Sequence, residues 1–317
     1  MPLLHRLLLA ALLAASATIA GAAALRVEPS TGPNEWSIFH GSQKLLVYAF
    51  SPTKFKPYVK ELYTLKGQNL LRDAPHDHLH HHALMYAIKV NGLNFWEEIS
   101  GSGVEKVVQS PPPELGTSPT GLPQARITQV IHWVAPQDAF LPDSASLALL
   151  VERRTLTLTV NEAEQEVALQ WKGEFEVGAK TNQVTLTGST YFGLGVRFPQ
   201  ELDPLAAHLN QGGKPDLNDN KQDVSQHAWG SVSFAVPGKP ATLAIFGHPG
   251  NPAGQARYFT MRTPFAYLSA TQGLDQQPLV YRPGERWTVN YLVALYPEVK
   301  TKASLDQRAQ QWQASKP

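Results

Sequence analysis

Apolar and polar positions alternate along much of this chain with the period of a β-strand. Thr155-Leu156-Thr157-Leu158-Thr159-Val160 alternates without error, and Val184-Thr185-Leu186-Thr187 repeats the pattern. This is the mark of a strand buried on one face. Short apolar or aromatic runs at 43–50, 59–65, 83–90, 126–134 and 167–171 predict further strands. Asn161-Glu162-Ala163-Glu164 reads as a polar turn, and Pro237-Gly238-Lys239-Pro240 as a hairpin turn between strands at 231–236 and 242–246. Trp287, Val289, Tyr291, Val293 and Leu295 share one face of a long strand that follows a turn at Pro283-Gly284. Glu152-Arg153-Arg154 opens the strand at 155–160 and reads as a solvated face. Helical period is scarce. Residues 202–209 predict a short connecting helix, and Leu305, Ala309 and Trp312 form a helical stripe after a cap at Ser304. Residues 110–123 and 212–222 read as loops. Many strands with so few helices predict an all-β fold, an antiparallel β-sandwich with a short C-terminal helix.

The first residues break this pattern. Arg6 is the only formal charge before residue 26, an apolar stretch runs over 7–20, and Gly21-Ala22-Ala23-Ala24 closes it. Charge, apolar core and small residues in that order predict a signal peptide over 1–24 and export to the periplasm or medium. The rest, 25–317, reads as one β domain. The chain has no cysteine, which excludes a disulfide framework and a lipid anchor on cysteine. No later stretch is apolar for long enough to span a membrane. Without Arg6 the chain carries 26 basic and 26 acidic side chains, with no basic stripe, which argues against nucleic acid as a partner. The 23 glycines and 25 prolines suit a β protein with many turns.

The chemistry concentrates in His76-Asp77-His78-Leu79-His80-His81-His82, where five of the eleven histidines fall together. Imidazole binds metals and moves protons near neutral pH. The bland alternative is a solvated histidine-rich loop. In an extended segment His78 and His80 share one face while His81, with Asp77 and Leu79, takes the other, so all three converge only if the chain bends. His248 stands on a turn in Gly247-His248-Pro249-Gly250, just after an apolar strand. We expect His78, His81 and His248 to meet in one groove as catalytic groups or as ligands of a divalent metal, with Asp77 orienting His81. Arg72 and Arg197 are candidate substrate clamps, because guanidinium offers forked donors. His80, Trp96 and Tyr191 are candidate substrate contacts. Trp96-Glu97-Glu98 adds two carboxylates that can act as acid or base, or sit on the surface. No phosphate loop, nucleophile elbow or zinc-protease helix occurs.

Several segments together resemble a bacterial family of unknown function usually labelled PmoA-like, or "methane oxygenase PmoA". They are Lys56-Pro57-Tyr58, Leu62-Tyr63-Thr64, Arg72-Asp73, the histidine run, Val90-Asn91-Gly92-Leu93-Asn94-Phe95-Trp96, Gly193-Leu194-Gly195-Val196-Arg197, His248-Pro249-Gly250-Asn251-Pro252 and Tyr281-Arg282-Pro283-Gly284-Glu285. The resemblance spans nearly the whole chain after the leader. Two departures stand out: Leu79 replaces the family's proline, and His82-Ala83 replaces its Arg-Gly. A membrane-embedded oxygenase needs several spanning helices, so methane oxidation is not expected. The strand order also resembles the galactose-mutarotase-type supersandwich, in which sugars bind a concave sheet face and His and carboxylates act as acid–base groups. That resemblance implies an exported carbohydrate-active protein. An enzyme that cleaves, eliminates or epimerises a glycan, a non-catalytic sugar-binding module, and a copper or zinc protein built on the histidines all remain open. The metal, the substrate and the oligomeric state are not readable from the residues.

Overall fold

The computed structural model describes residues 24–29, 34–142 and 144–315. The expected signal peptide, all but Ala24, lies outside the described residues. Strands dominate and pair antiparallel in three sheets. The first sheet runs in the order Leu25–Pro29, Glu35–His40, Gln43–Ala49, Tyr58–Leu62, Leu84–Ala87, Gly193–Arg197, Tyr267–Thr271, Arg257–Met261 and Gln222–Gln226. The second runs Ala206–Asn210, Trp229–Phe234, Ala241–Gly247, Arg286–Tyr296, Glu166–Val177, Leu150–Asn161, Pro123–Val134 and Val104–Gln109, with Glu114–Thr117 also on Pro123–Val134. A small sheet joins Leu279–Tyr281, Val184–Thr187, Lys89–Val90 and Leu93–Asn94. One apolar cluster, from Leu25 to Leu295, lies between the large sheets.

The long strand Arg286–Tyr296 shows how the pattern sets the layers. Trp287, Val289, Tyr291, Val293 and Leu295 enter the main core, while Leu292, Ala294 and Tyr296 face a second cluster with Leu305, Ala309 and Trp312. The C-terminal helix Lys302–Gln313 therefore covers the outer face of the second sheet. Its cap is Thr301, whose side chain accepts from the Ser304 amide, three residues earlier than the sequence suggested.

Three expectations change. Within the loop expected at 110–123, Glu114–Thr117 forms a strand on Pro123–Val134. The segment expected to be helical at 202–209 divides into a 3-10 turn, Gln200–Leu205, and the strand Ala206–Asn210. Glu152 and Arg154 are fully buried rather than solvated. Arg154 donates to Glu152 and Glu105, and its guanidinium lies 4.7 Å from the Trp171 ring centroid. A charge is tolerated at such a position only when it is paired.

Candidate functional site

Register places the first elements of the site. Across four neighbouring strands of the first sheet Arg197 pairs with Tyr267, Tyr267 with Met261, and Met261 with Gln222. Residues opposite one another share a face. The next row on that face holds Met85, Gly195, Ser269 and Phe259. The absence of a side chain at Gly195 is what makes room. A Cβ there would lie 2.0 Å from Tyr267 Oη and 2.8 Å from Trp96 Cη2. The glycine at this point of the run admits these two rings.

The histidine run forms a closed loop over this face. Asp73 and His82 bridge its ends, the Ala74 amide donates to His81 O, and successive turns close from His78 N to Pro75 O and from His81 N to His78 O. Ala74 and Ala83 take positive φ angles of 43° and 47° at its two ends. The left-handed region favours glycine. These turns supply the bend that an extended run lacks. His78 and His81 stack with ring centroids 4.6 Å apart, His80 stands edge-on to His81 at 4.6 Å, and His78 and His80 are 5.7 Å apart.

The three histidines line a groove of about 330 Å³ with Glu97, Tyr191, Gln222, Phe259, Met261, Pro264, Phe265 and Tyr267. That volume falls within the range of small-molecule sites. A larger hollow of about 530 Å³ lies elsewhere, among Phe50, Phe55, Val107 and Phe140, and gathers no histidine. His81 is 7% exposed and its Nδ1 has no hydrogen-bond partner among the described residues. Burial, with the Arg197 guanidinium and the neighbouring imidazoles adding to it, pushes its pKa down to about 2, so its ring is neutral. Burial also lowers the pKa of His80, with Lys56 and His78 adding to the effect. The Tyr267 hydroxyl is buried and likewise without a partner. Buried polar atoms are normally paired, and these two groove-lining atoms are not.

Several expected site residues sit elsewhere. His248 ends the strand Ala241–Gly247 of the second sheet. Its Nδ1 accepts from the Gly250 amide, its Nε2 donates to Ser315 O, and its ring meets Trp312 edge-on at 5.8 Å. It clasps the end of the C-terminal helix and does not join the other histidines. Asp77 faces His78, not His81, with Oδ2 3.1 Å from Nδ1. Leu79, expected on a part-buried side with Asp77 and His81, is 66% exposed. Trp96 is buried behind the groove, stacked on Phe192 at 5.0 Å, and offers no face to a ligand. Neither arginine lines the groove. Arg72 donates to Gln200. Arg197 lies with its Cζ 3.4 Å from the Phe265 ring centroid and its Nη2 3.7 Å from Asp77. No group of three His, Cys, Asp or Glu donors is placed to hold a metal among the described residues. The imidazoles pack ring against ring, so this donor set does not fit a metal centre.

The sequence assigned no role to His82 and did not tell Glu97 from Glu98. Glu97 is the carboxylate that lines the groove, and Asn94 Nδ2 donates to its Oε2. His82 is 1% exposed and sits between two carboxylates. Its Nδ1 is 2.7 Å from Asp73 Oδ1, its Nε2 is 3.1 Å from Glu98 Oε2, and its ring stacks on Tyr58 at 4.2 Å. Lys56 Nζ is 2.7 Å from Glu98 Oε1, and Tyr58 donates to Asp73 Oδ2. Burial opposes the charge on His82, yet the bonds to Asp73 and Glu98 outweigh it and raise the pKa. The His82 ring is thus held between two carboxylates in the interior. Because His81 precedes His82 and Glu97 precedes Glu98, this pair ties two groove-lining residues together.

The chain belongs to a family of unknown function, DUF6807, whose profile matches residues 35–310. No curated protein matches it. Among solved structures it is similar to the galactosidase domain of the α-galactosidase–sucrose kinase AgaSK, at 10% identity over 86% of this chain and 41% of that one, with a TM-score of 0.47. The α-galactosidase of Lactobacillus brevis matches at 5% identity over 91% of this chain and 42% of that one, TM-score 0.46. A galactose mutarotase related enzyme of Lactobacillus acidophilus matches at 8% identity over 84% of this chain and all of that one, TM-score 0.42. The chain spans about two fifths of the length of the two galactosidase structures.

Proposed function

We propose that this chain is an exported carbohydrate-active protein that cleaves, eliminates or epimerises a sugar derivative at the histidine groove. The observation that carries this reading is the convergence of His78, His80 and His81 with the Glu97 carboxylate between the rings of Tyr191, Phe259, Phe265 and Tyr267. Aromatic walls suit the apolar face of a sugar, while a few fixed polar groups recognise its hydroxyls. His81, neutral and with an unpaired Nδ1, serves as a fixed hydrogen-bonding group rather than a proton donor. His80, whose pKa is held below the usual range, is free of its proton at neutral pH and suits a general base. Asp77 and Arg197 brace the loop from behind and do not act on the substrate.

The test is product formation on a panel of oligosaccharides and free sugars, read by mass spectrometry and NMR, with His80→Ala and His81→Ala beside the parent protein. On this reading His80→Ala lowers kcat by about 10²–10⁴-fold with KM little changed. His81→Ala chiefly raises KM. Binding without turnover of any panel member would reduce the reading to a sugar-binding module, and no binding would remove it.

A further inference from the structure

The charges around the groove do not balance, and the imbalance points to the kind of sugar that fits. Of the lining residues only Glu97 carries a permanent charge, and none is lysine or arginine. Behind the lining the charges pair off. Lys56 and His82 stand against Glu98 and Asp73. Arg197 lies 3.7 Å from Asp77 and 4.0 Å from Asp203, and Arg72 also feels Asp203. Lys89 sits 5.9 Å from the ring centroid of Phe192 and does not line the groove. Glu97 is therefore the uncompensated charge. Asn94 Nδ2 holds one of its oxygens, and no hydrogen bond engages Oε1 among the described residues.

Its surroundings reinforce the sign. Tyr191, Phe259 and Tyr267 add π-systems, whose faces attract cations and repel anions, while one face of Phe265 is taken by Arg197. The His81 ring is neutral and cannot offset an anion. Glu97 is near enough to Tyr191 and His80 for its charge to act on both.

We infer that the groove takes a sugar bearing a protonated amine, a hexosamine unit, with the ammonium on Glu97 and the sugar ring against the aromatic wall, and that uronates and sulfated sugars are excluded. This rests on the carbohydrate reading of the same groove.

The experiment is isothermal titration of the full chain with three probes that differ in one substituent: methyl glucoside, methyl glucosaminide and methyl glucuronide. Buffer near neutral pH keeps the amine largely protonated and His80 free of its proton. The aminosugar is expected to bind about tenfold or more tighter than the neutral glucoside, and the glucuronide weakest. Glu97→Gln keeps the shape and Asn94's partner but removes the charge, so the two affinities should converge. Equal affinities in the parent protein, or preference for the glucuronide, overturn the inference while leaving the carbohydrate reading intact. An aminosugar preference that survives in Glu97→Gln overturns it too. If no probe or oligomer of these sugars binds, both readings fall.

Discussion

Replacing His82 by alanine is expected to destabilise the protein by about 3 kcal/mol, and the structure says why the figure is not larger. The imidazolium is buried, with Asp73 at 2.7 Å on one nitrogen and Glu98 at 3.1 Å on the other. Removing one member of a buried charge network typically costs about 3–5 kcal/mol, because the remaining charges lose their compensation. Here each carboxylate keeps a partner: Lys56 stays on Glu98 and Tyr58 on Asp73. That places the cost at the low end. For a chain of this size it lowers Tm by roughly 5 °C. The pH profile gives a sharper reading. The His82 pKa is raised above 6.5 in the fold, so its contribution is complete below 6.5 and is lost as pH rises through the folded value. The Glu98 pKa is lowered below 4.5 by His82 and Lys56 against the effect of burial, so its contribution is complete above 4.5 and is lost as pH falls through the folded value. The stability gap between parent and His82→Ala, from urea unfolding at a series of pH values, should be widest between 4.5 and 6.5 and narrow on the alkaline side. A gap below about 1 kcal/mol, or one that does not vary with pH, would refute the reasoning.

Three further outcomes follow from the same geometry. Gly195→Ala should cost about 1–3 kcal/mol by driving a methyl into Tyr267 and Trp96, and it should weaken sugar binding by titration; a stable variant with unaltered affinity would contradict the packing at that strand. His248→Ala should lose about 1–2 kcal/mol in urea unfolding through its bonds at the helix end, with groove affinity unchanged, and a fall in affinity would return His248 to the site. Protein recovered from the periplasm or medium should have an intact mass short by roughly two dozen residues, whereas a full-length cytoplasmic species would remove the proposed export.

The strands could be read from the sequence because their period is local. Residues 155–160 alternate, and they lie in the middle of Leu150–Asn161. What alternation does not reveal is which polar residues are paired inside. Glu152 and Arg154 have the same spacing as a solvated face, and their burial is accounted for by bonds to each other and to Pro57, Glu105 and Trp133, which lie elsewhere in the chain. The helix cap failed for a similar reason. Both Thr301 and Ser304 are good caps, and which of them takes the role depends on how the strand before them leaves the sheet.

The histidine site shows the same limit more sharply. Composition drew attention to the loop that lines the groove, since a run so rich in imidazole is conspicuous in any context. Its geometry was not readable, because the rule that side chains alternate holds along a strand and fails across two successive turns. Sheet membership was hidden as well. His248 ends an apolar strand beside a glycine, as a site residue would, but its strand pairs with Arg286–Tyr296 in the second sheet, whereas the histidine loop lies over the first. Between Glu97 and Glu98 the sequence offered no choice. The structure separates them by one step of the backbone: Glu98 turns inward to the cations Lys56 and His82, and Glu97 turns to the groove. That step also ties the two parts together. His82 can hold its charge in the interior only because Glu98 and Asp73 meet it there. The bond that satisfies His82 is the same one that brings the chain at Glu97 beside the chain at His81. The architecture of the groove therefore depends on a cation at position 82, held there by two carboxylates.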